Sequence, residues 1–413
     1  MSTASHSEPS TAKHRSALSE PVFRLYFFAS CCATLAVWIV RFLIGWTAWE
    51  LTRSAFWVGT VSVMLLAPTI FLSPVFGVVS DRVDPRNGMV TTAACNIAIC
   101  LTIVGLSAQD WLTIVALLSV ALAFGCVTAA HHPMRLSLMP KILARDLLPS
   151  GIGLSAIVFN TSRIIGPAIG AWILGAFGAA WAFALSALLF SATLGLLTRV
   201  PSAPPVKPEE PESLLTDLRA GFRFIGRAPL IQLILLMTLV NGLVGRTVME
   251  LLPAISGELA GGTAGALATL TAVAGAGSIV GGWVISRQRG NTLGISRLVF
   301  VALLTGSLVL IPVVWLQGLA FLIPVVIVSA LSMTIIGTGC QALVQLVVSD
   351  AFRGRIMSVW TVVSMGGPAF GAFLMGAVAD VFGFGATFIG FALAAILTTF
   401  GLWQQRQRFQ QSE

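Results

Sequence analysis

Charge is what this sequence has least of. Only 10% of its 413 residues are Asp, Glu, Lys or Arg, against 56% hydrophobic residues and a mean hydropathy of +0.92. A water-soluble chain carries roughly 25% charged residues to cover its surface, so a soluble globular protein is excluded. Cysteine is present without a pattern: Cys31, Cys32, Cys95, Cys100, Cys126 and Cys340 all sit in apolar segments, with no CxxC pair or Cys/His cluster. Neither a disulfide framework nor a metal site is expected, and the six read as small core hydrophobes. No GxxxxGK[ST] run is present, so the chain holds no nucleotide motor, and no HExxH or facing carboxylate pair suggests a hydrolase. "GAGSIVGG" from Gly275 lacks a preceding strand and reads as helix packing rather than a dinucleotide site. We expect no enzyme, no metal and no cofactor.

What the chain has instead is apolar length. Runs of about 20 apolar residues begin near residues 22, 56, 88, 111, 149, 179, 229, 262, 296, 319, 356 and 384. The fold class is therefore an all-α integral membrane protein with twelve transmembrane helices. The first run is too long, and too far behind a polar head, for a cleaved signal peptide. The net charge of +8 is a matter of topology. With the N-terminus inside, Arg53 lies on the outer side and Arg41, Arg163 and Arg246 lie within spans. The remaining Lys and Arg gather in the head, the inner connections and the tail, or at span ends beside them. That bias puts both termini in the cytoplasm and gives nucleic-acid binding no support.

The longest polar break is "RVPSAPPVKPEEPESLLTDLRAGFRFIGRAP", whose first part is a Pro- and Glu-rich linker. Its second part spaces Leu214, Leu218, Phe222 and Ile225 as one face of an amphipathic interfacial helix. The expected organisation is a head at 1–21, a six-helix bundle at 22–198, the linker at 199–228, a second bundle at 229–403 and a tail at 404–413. The bundles repeat one another. "SRIIGPAIGAWILGAFG" from Ser162 returns as "SMGGPAFGAFLMGAVA" from Ser364, so Gly166, Pro167 and Gly170 correspond to Gly367, Pro368 and Gly371, with Ser364 where Arg163 stood. Small residues four apart let helices approach closely in lipid, and proline permits a bend. A six-plus-six repeat is the plan of large secondary transporters, with the substrate midway between halves.

"GVVSDRVDPR" resembles the loop signature of the major facilitator superfamily, Gly-x-x-x-Asp-Arg-x-x-x-Arg, at Gly77, Asp81, Arg82 and Arg86, although Pro85 displaces a usual glycine. "GWVISR" from Gly282 is a degraded second copy, with Ser286 for the aspartate. The phrase around Arg163 and Pro167 is similar to the helix-five signature of the family's antiporters. "WTAWELTRSAFWVG", "SLLTDLRAGFRFI" and "DAFRGRIMSVW" are similar to the branch of bacterial enterobactin (siderophore) exporters and related drug-efflux proteins. The resemblance implies a monomeric multi-pass exporter in the bacterial inner membrane, driven by the proton gradient. It also implies that the first, fourth, seventh and tenth helices line the cavity.

Ionisable and polar residues at membrane depth are then the functional candidates. The first span carries Thr34, Trp38 and Arg41 on one stripe. The seventh carries Asn241, Arg246 and Glu250, and the tenth carries Thr338, Gln341 and Gln345. The fourth offers His131 and His132 near its cytoplasmic end, and Asn160 and Arg163 belong to the fifth. Glu250 is either a proton site or a structural partner of Arg246 one turn away. Arg163 either contacts substrate or holds Asn160 or a facing helix end. Three buried arginines against one buried acid predict an electropositive cavity suited to an anion. At the cytoplasmic mouth, Asp81 is expected to cap the third helix and, with Arg353 and Arg355, to latch the bundles; the alternative is charge that only sets topology. Macrolide or multidrug efflux, a lysophospholipid flippase and a non-transporting sensor or scaffold are the competing functions.

Overall fold

The computed structural model describes residues 16–202, 225–226, 228–315, 318–348 and 350–411. The amphipathic segment expected in the linker lies almost wholly outside the described residues. Six helices come first: α1 (Pro21–Thr52), α2 (Ala55–Arg82), α3 (Pro85–Ala108), α4 (Ile114–Ile142), α5 (Leu148–Phe177) and α6 (Ala179–Leu197). Next, α7 starts as Pro229–Val240 and continues through a π turn, Asn241–Arg246, into Thr247–Glu250. Short α8 (Leu252–Leu259) precedes α9 (Ala264–Ser286), α10 (Thr292–Leu308) and α11 (Leu319–Val347). The final helical stretch, Asp350–Gln411, is broken at Gly383 (φ 76°), and its two legs are α12 and α13. Leaving out α8, twelve helices among the described residues are long enough to cross a bilayer, six in each half, as the apolar runs predicted. Because α13 runs to Gln411, most of the expected tail is helical.

Local chemistry sets the helix ends. Ser54, Thr113, Thr263 and Asn291 each turn a side-chain oxygen back onto a backbone N–H of the helix they open. Without such caps the first-turn donors would be left bare. Where the chain must reverse quickly it uses positive φ: Gly178 at 88°, Gly318 at 103°, and Arg53 at 50° closing α1. Chain direction then places the starts of α1 and α7 and the end of α13 on one face, called here the terminal face. The α1–α2 turn, α8 and Gly383 lie on the opposite, far face.

Three apolar cores show how the bundles meet. The largest draws residues from both halves: Leu43, Trp46 and Phe183 from the first, Leu252, Leu267 and Phe388 from the second. The other two do not mix. One, around Phe23, Tyr26 and Leu138, is built from the first half, and one, around Ile234, Phe300 and Val344, from the second. The bundles are thus fused toward the far face and separate toward the terminal face, so the cleft between them opens on the terminal side.

Glycine permits that fusion. A Cβ on Gly59 of α2 would strike the Ala372 carbonyl of α12, and one on Gly376 of α12 would strike the Ala55 carbonyl of α2. Within the bundles the repeated phrase does the same work twice. Gly166 and Gly170 seat α5 on α1, where a Cβ would lie 2.8 Å from Trp38 and 3.2 Å from Phe42. Gly367 and Gly371 seat α12 on α7, and a Cβ added to Gly242 of α7 would lie 3.0 Å from Gly367 and 3.1 Å from Pro368. Overpacking such a contact costs about 1–3 kcal/mol. Gly376→Leu is accordingly expected to drive α2 and α12 apart at the far face. Spin labels on their far ends should report a longer distance in the variant, and an unchanged distance would contradict the packing described.

Candidate functional site

Among the described residues an ion pair joins the two halves beside the mixed core, in which Val248 and Leu251 flank Glu250. The Arg41 guanidinium of α1 meets the Glu250 carboxylate of α7 at 3.4 Å, with both side chains mostly shielded. Arg41 lies eleven residues before Thr52, about 16 Å from the far end of its helix. Its guanidinium carbon stands 5.8 Å from the ring centre of Trp38, which meets Phe159 of α5 edge-on at 5.6 Å. The buried Trp38 indole N–H has no acceptor among the described residues. This corner therefore presents an aromatic shelf and a cation, a combination that holds flat, electron-rich groups.

Glu250 was expected either to carry a proton or to pair with Arg246 one turn earlier. Its ion pair instead crosses to the other bundle, and the π turn supplies the reason. A π turn carries an extra residue relative to α geometry and shifts the register of everything after it. The Gly242 carbonyl, taken out of the regular ladder, accepts the Thr247 hydroxyl at 2.9 Å. Arg246 is directed to α12, where it donates to the Ser364 carbonyl at 3.4 Å. Ser364 is the position at which the repeated phrase exchanges arginine for serine, so the charge missing from the second copy arrives from α7. Arg246 also feels the charges of Glu250 and Arg41, and Arg163 of α5 feels that of Arg246. Among the described residues Arg163 has no carboxylate within ion-pair distance.

The other candidates divide. Asn160 and Thr338 are exposed, and each bonds its own helix one turn back, to the Ala156 carbonyl at 2.8 Å and the Thr334 carbonyl at 2.5 Å. Gln341 and Thr34 are half-buried and Gln345 is exposed. Asn241 departs from the cleft: only 5% exposed, it gives its amide N–H to the Met333 carbonyl of α11 at 3.3 Å, inside the second bundle. On α4, the His131 Nδ1 lies 3.0 Å from the Thr92 hydroxyl of α3, within the first bundle, while His132 is exposed.

At the far face an unanticipated acid joins the halves. Asp380 of α12 accepts the Ser54 hydroxyl, the Ala55 N–H at 2.7 Å and the Phe56 N–H at 3.3 Å. It caps the first turn of α2 from the other bundle, where the helix dipole favours a negative charge. Nearby, burial and then the Asp380 charge raise the Glu258 carboxyl above its ordinary pKa. The signal in the sequence was a lone acid at the end of the apolar run "LMGAVADVFG"; its partner, an unsatisfied helix start 325 residues earlier, was not visible.

Comparison with known proteins decides the family. Residues 12–412 match the family of transmembrane secretion effectors, a branch of the major facilitator superfamily. The chain belongs to that family. It is 28% identical over 398 residues to the enterobactin exporter EntS of Citrobacter koseri, covering 92% of each chain. It is 27% identical over 406 residues to that of Shigella boydii serotype 18, covering 94% of each. Its fold is that of the nucleoside transporter NupG, with a TM-score of 0.69 at 14% identity over 93% of this chain and 98% of the other. A bacterial homolog of the human lysosomal transporter Spinster, in an inward-facing occupied conformation, gives a TM-score of 0.73 at 14% identity over 94% and 97%. The protein is a transporter of the major facilitator superfamily.

The family's loop signature is arranged differently from the expectation. α2 continues through Arg82, so Asp81 lies on its last turn, and the cap of α3 is Asp84, which accepts the Arg86 N–H at 2.9 Å. Pro85 explains the shift: with its fixed φ it opens α3, leaving Asp84 as the residue that must cap it. Arg86 works within its own bundle, donating to the Leu197 carbonyl at 3.1 Å and the Thr198 carbonyl at 2.6 Å and so closing the end of α6. Arg82 is exposed, and a Cβ added to Gly77 would meet nothing within 4 Å among the described residues. The side chains of Asp81, Arg353 and Arg355 lie outside the described residues.

Loss of the Asp380 cap should cost the far-face closure about 1–2 kcal/mol, or roughly a 5- to 30-fold shift toward opening. For Asp380→Ala we expect faster labelling of a cysteine placed at the far end of α2. Glu258→Gln, which relieves the repulsion, should slow that labelling.

Proposed function

We propose that this transporter is a proton-coupled exporter of a small anionic amphiphile of the siderophore type, moving it across the bacterial inner membrane by alternating access. The observation that carries the reading is the central charge balance: Arg41, Arg163 and Arg246 at membrane depth with Glu250 as their acid. Guanidinium groups bind carboxylates and catecholates through paired, charge-assisted hydrogen bonds, and they repel cations. The related EntS proteins are enterobactin exporters, which agrees with this chemistry. The positive-inside bias supports cytoplasmic termini, so the cleft of this conformation faces the cytoplasm, where an exporter loads.

Coupling follows from the Arg41–Glu250 pair. With neither ligand bound, the pair ties α1 to α7 and helps keep the far side shut. An anion arriving in the cleft competes with Glu250 for Arg41 and loosens the tie. A proton on Glu250 removes its charge and loosens the same tie. Because either ligand alone frees the bundles to rock, substrate leaves on one swing and a proton enters on the return. Arg163 and Arg246 then serve as the anion's holding groups, and the Trp38–Phe159 shelf as the face for its ring.

Two variants test the reading in vesicles with an imposed pH gradient. Arg163→Ala should abolish export while the protein still reaches the membrane, and retained export would remove Arg163 from the site. Glu250→Gln should keep substrate-for-substrate exchange but lose accumulation driven by the gradient. Cells lacking the transporter should suffer during iron starvation while keeping their macrolide susceptibility; the opposite profile would favour drug efflux.

A further inference from the structure

Behind the π turn, inside the second bundle, lies a small cavity between α7, α10 and α11. It has room for the centre of a water-sized sphere over about 10 Å³, bounded by Asn241, Gly245, Gly306, Ser329, Ser332 and Met333. That is the space one water molecule requires. Two buried polar atoms on its wall have no protein partner: Asn241 Oδ1, on a residue 5% exposed, and Ser329 Oγ, on one 2% exposed. The Asn241 orientation is fixed, because its Nδ2 donates to the Met333 carbonyl and leaves Oδ1 turned the other way. Ser332, 1% exposed, shares a hydrogen bond with Thr305 at 3.2 Å and keeps a lone pair to offer. Gly245 leaves room for the same oxygen: a Cβ there would come within 2.8 Å of Asn241 Oδ1.

We propose that this cavity is a built site for one water molecule, bonded to Asn241 Oδ1 and Ser329 Oγ, which holds the π turn in register and with it the arm carrying Arg246. Every oxygen on the wall is neutral and Arg246 contributes the charge on the adjoining turn, so a cation would lack a counter-charge. A water can donate to both orphaned oxygens at once, which no apolar occupant can do. In hydrocarbon a π turn survives only where its displaced backbone groups and neighbours are satisfied from within. Here Thr247 satisfies one side and the water the other. The inference concerns the interior of one bundle and does not depend on the identity of the cargo.

Density for the intact protein at about 2 Å resolution should show one peak within hydrogen-bond reach of both oxygens; an empty cavity would overturn the proposal. A double-mutant cycle gives a second reading. Asn241→Leu and Ser329→Ala should each lower the melting temperature, and the double variant should melt within about a degree of the worse single variant, because both lose the same bridge. Additive losses would mean that the two residues act separately and no water joins them. The melting temperature should be the same in sodium and in choline buffer, whereas a rise specific to sodium would assign the site to a cation instead. Gly245→Ala, whose methyl would press on Asn241 Oδ1, should erase the peak and alter the affinity for a transported anion through Arg246, while Gly306→Ala, whose methyl would meet Ser332 on the far wall, should leave that affinity nearer the parent value.

Discussion

A guanidinium group inside a bilayer must find compensation, and this structure is organised around three of them that find it unequally. Arg41 has a carboxylate, but one belonging to the opposite bundle. Arg246 has a backbone carbonyl and the more distant influence of Glu250. Arg163 has no ion-pair partner among the described residues and faces the Arg246 charge. A buried pair within one rigid bundle would be inert; a pair shared between two moving bundles links electrostatics to conformation, since separating them exposes each charge to the cost of standing alone. The bundles therefore cannot part without a change of partners at their centre.

Steric fit supplies the complementary constraint. Lipid gives helices no hydrophobic reason to associate, so the closed half depends on how near two backbones can come. Gly59 and Gly376 let α2 and α12 touch at carbonyl distance, and Asp380 then closes the same contact with three acceptor bonds to the α2 terminus. Close packing and polar capping reinforce one another there, because the cap reaches its donors only if the glycines have admitted the approach. The terminal half has no such mixed core among the described residues, which is why the same two bundles can be joined at one end and parted at the other.

Much of this was legible in the sequence, for definable reasons. Helix number, the six-plus-six repeat and the small-residue seams are periodic features, and periodicity survives in one dimension. Counting residues along the spans also put Arg41, Arg163 and Arg246 within helices rather than in connections. What escaped was register and partnership. A π turn changes hydrogen bonding by one residue and leaves no mark in composition, so the sequence puts Asn241 on the cleft stripe and offers Arg246 as Glu250's partner in one of two readings, the other being a proton site. Asp380 lies 325 residues from the N–H it caps, and no local pattern announces such a contact. Asp81 was read by its place in a signature, whereas the proline at 85 had moved the capping position to Asp84.

The end of α6 holds one more consequence. Arg86 grips the Leu197 and Thr198 carbonyls, and Asp84 accepts the Ser202 hydroxyl at 2.5 Å, so the root of the long interbundle connection is stapled to the α2–α3 turn. The first residues of that connection are therefore held as part of the first bundle's floor.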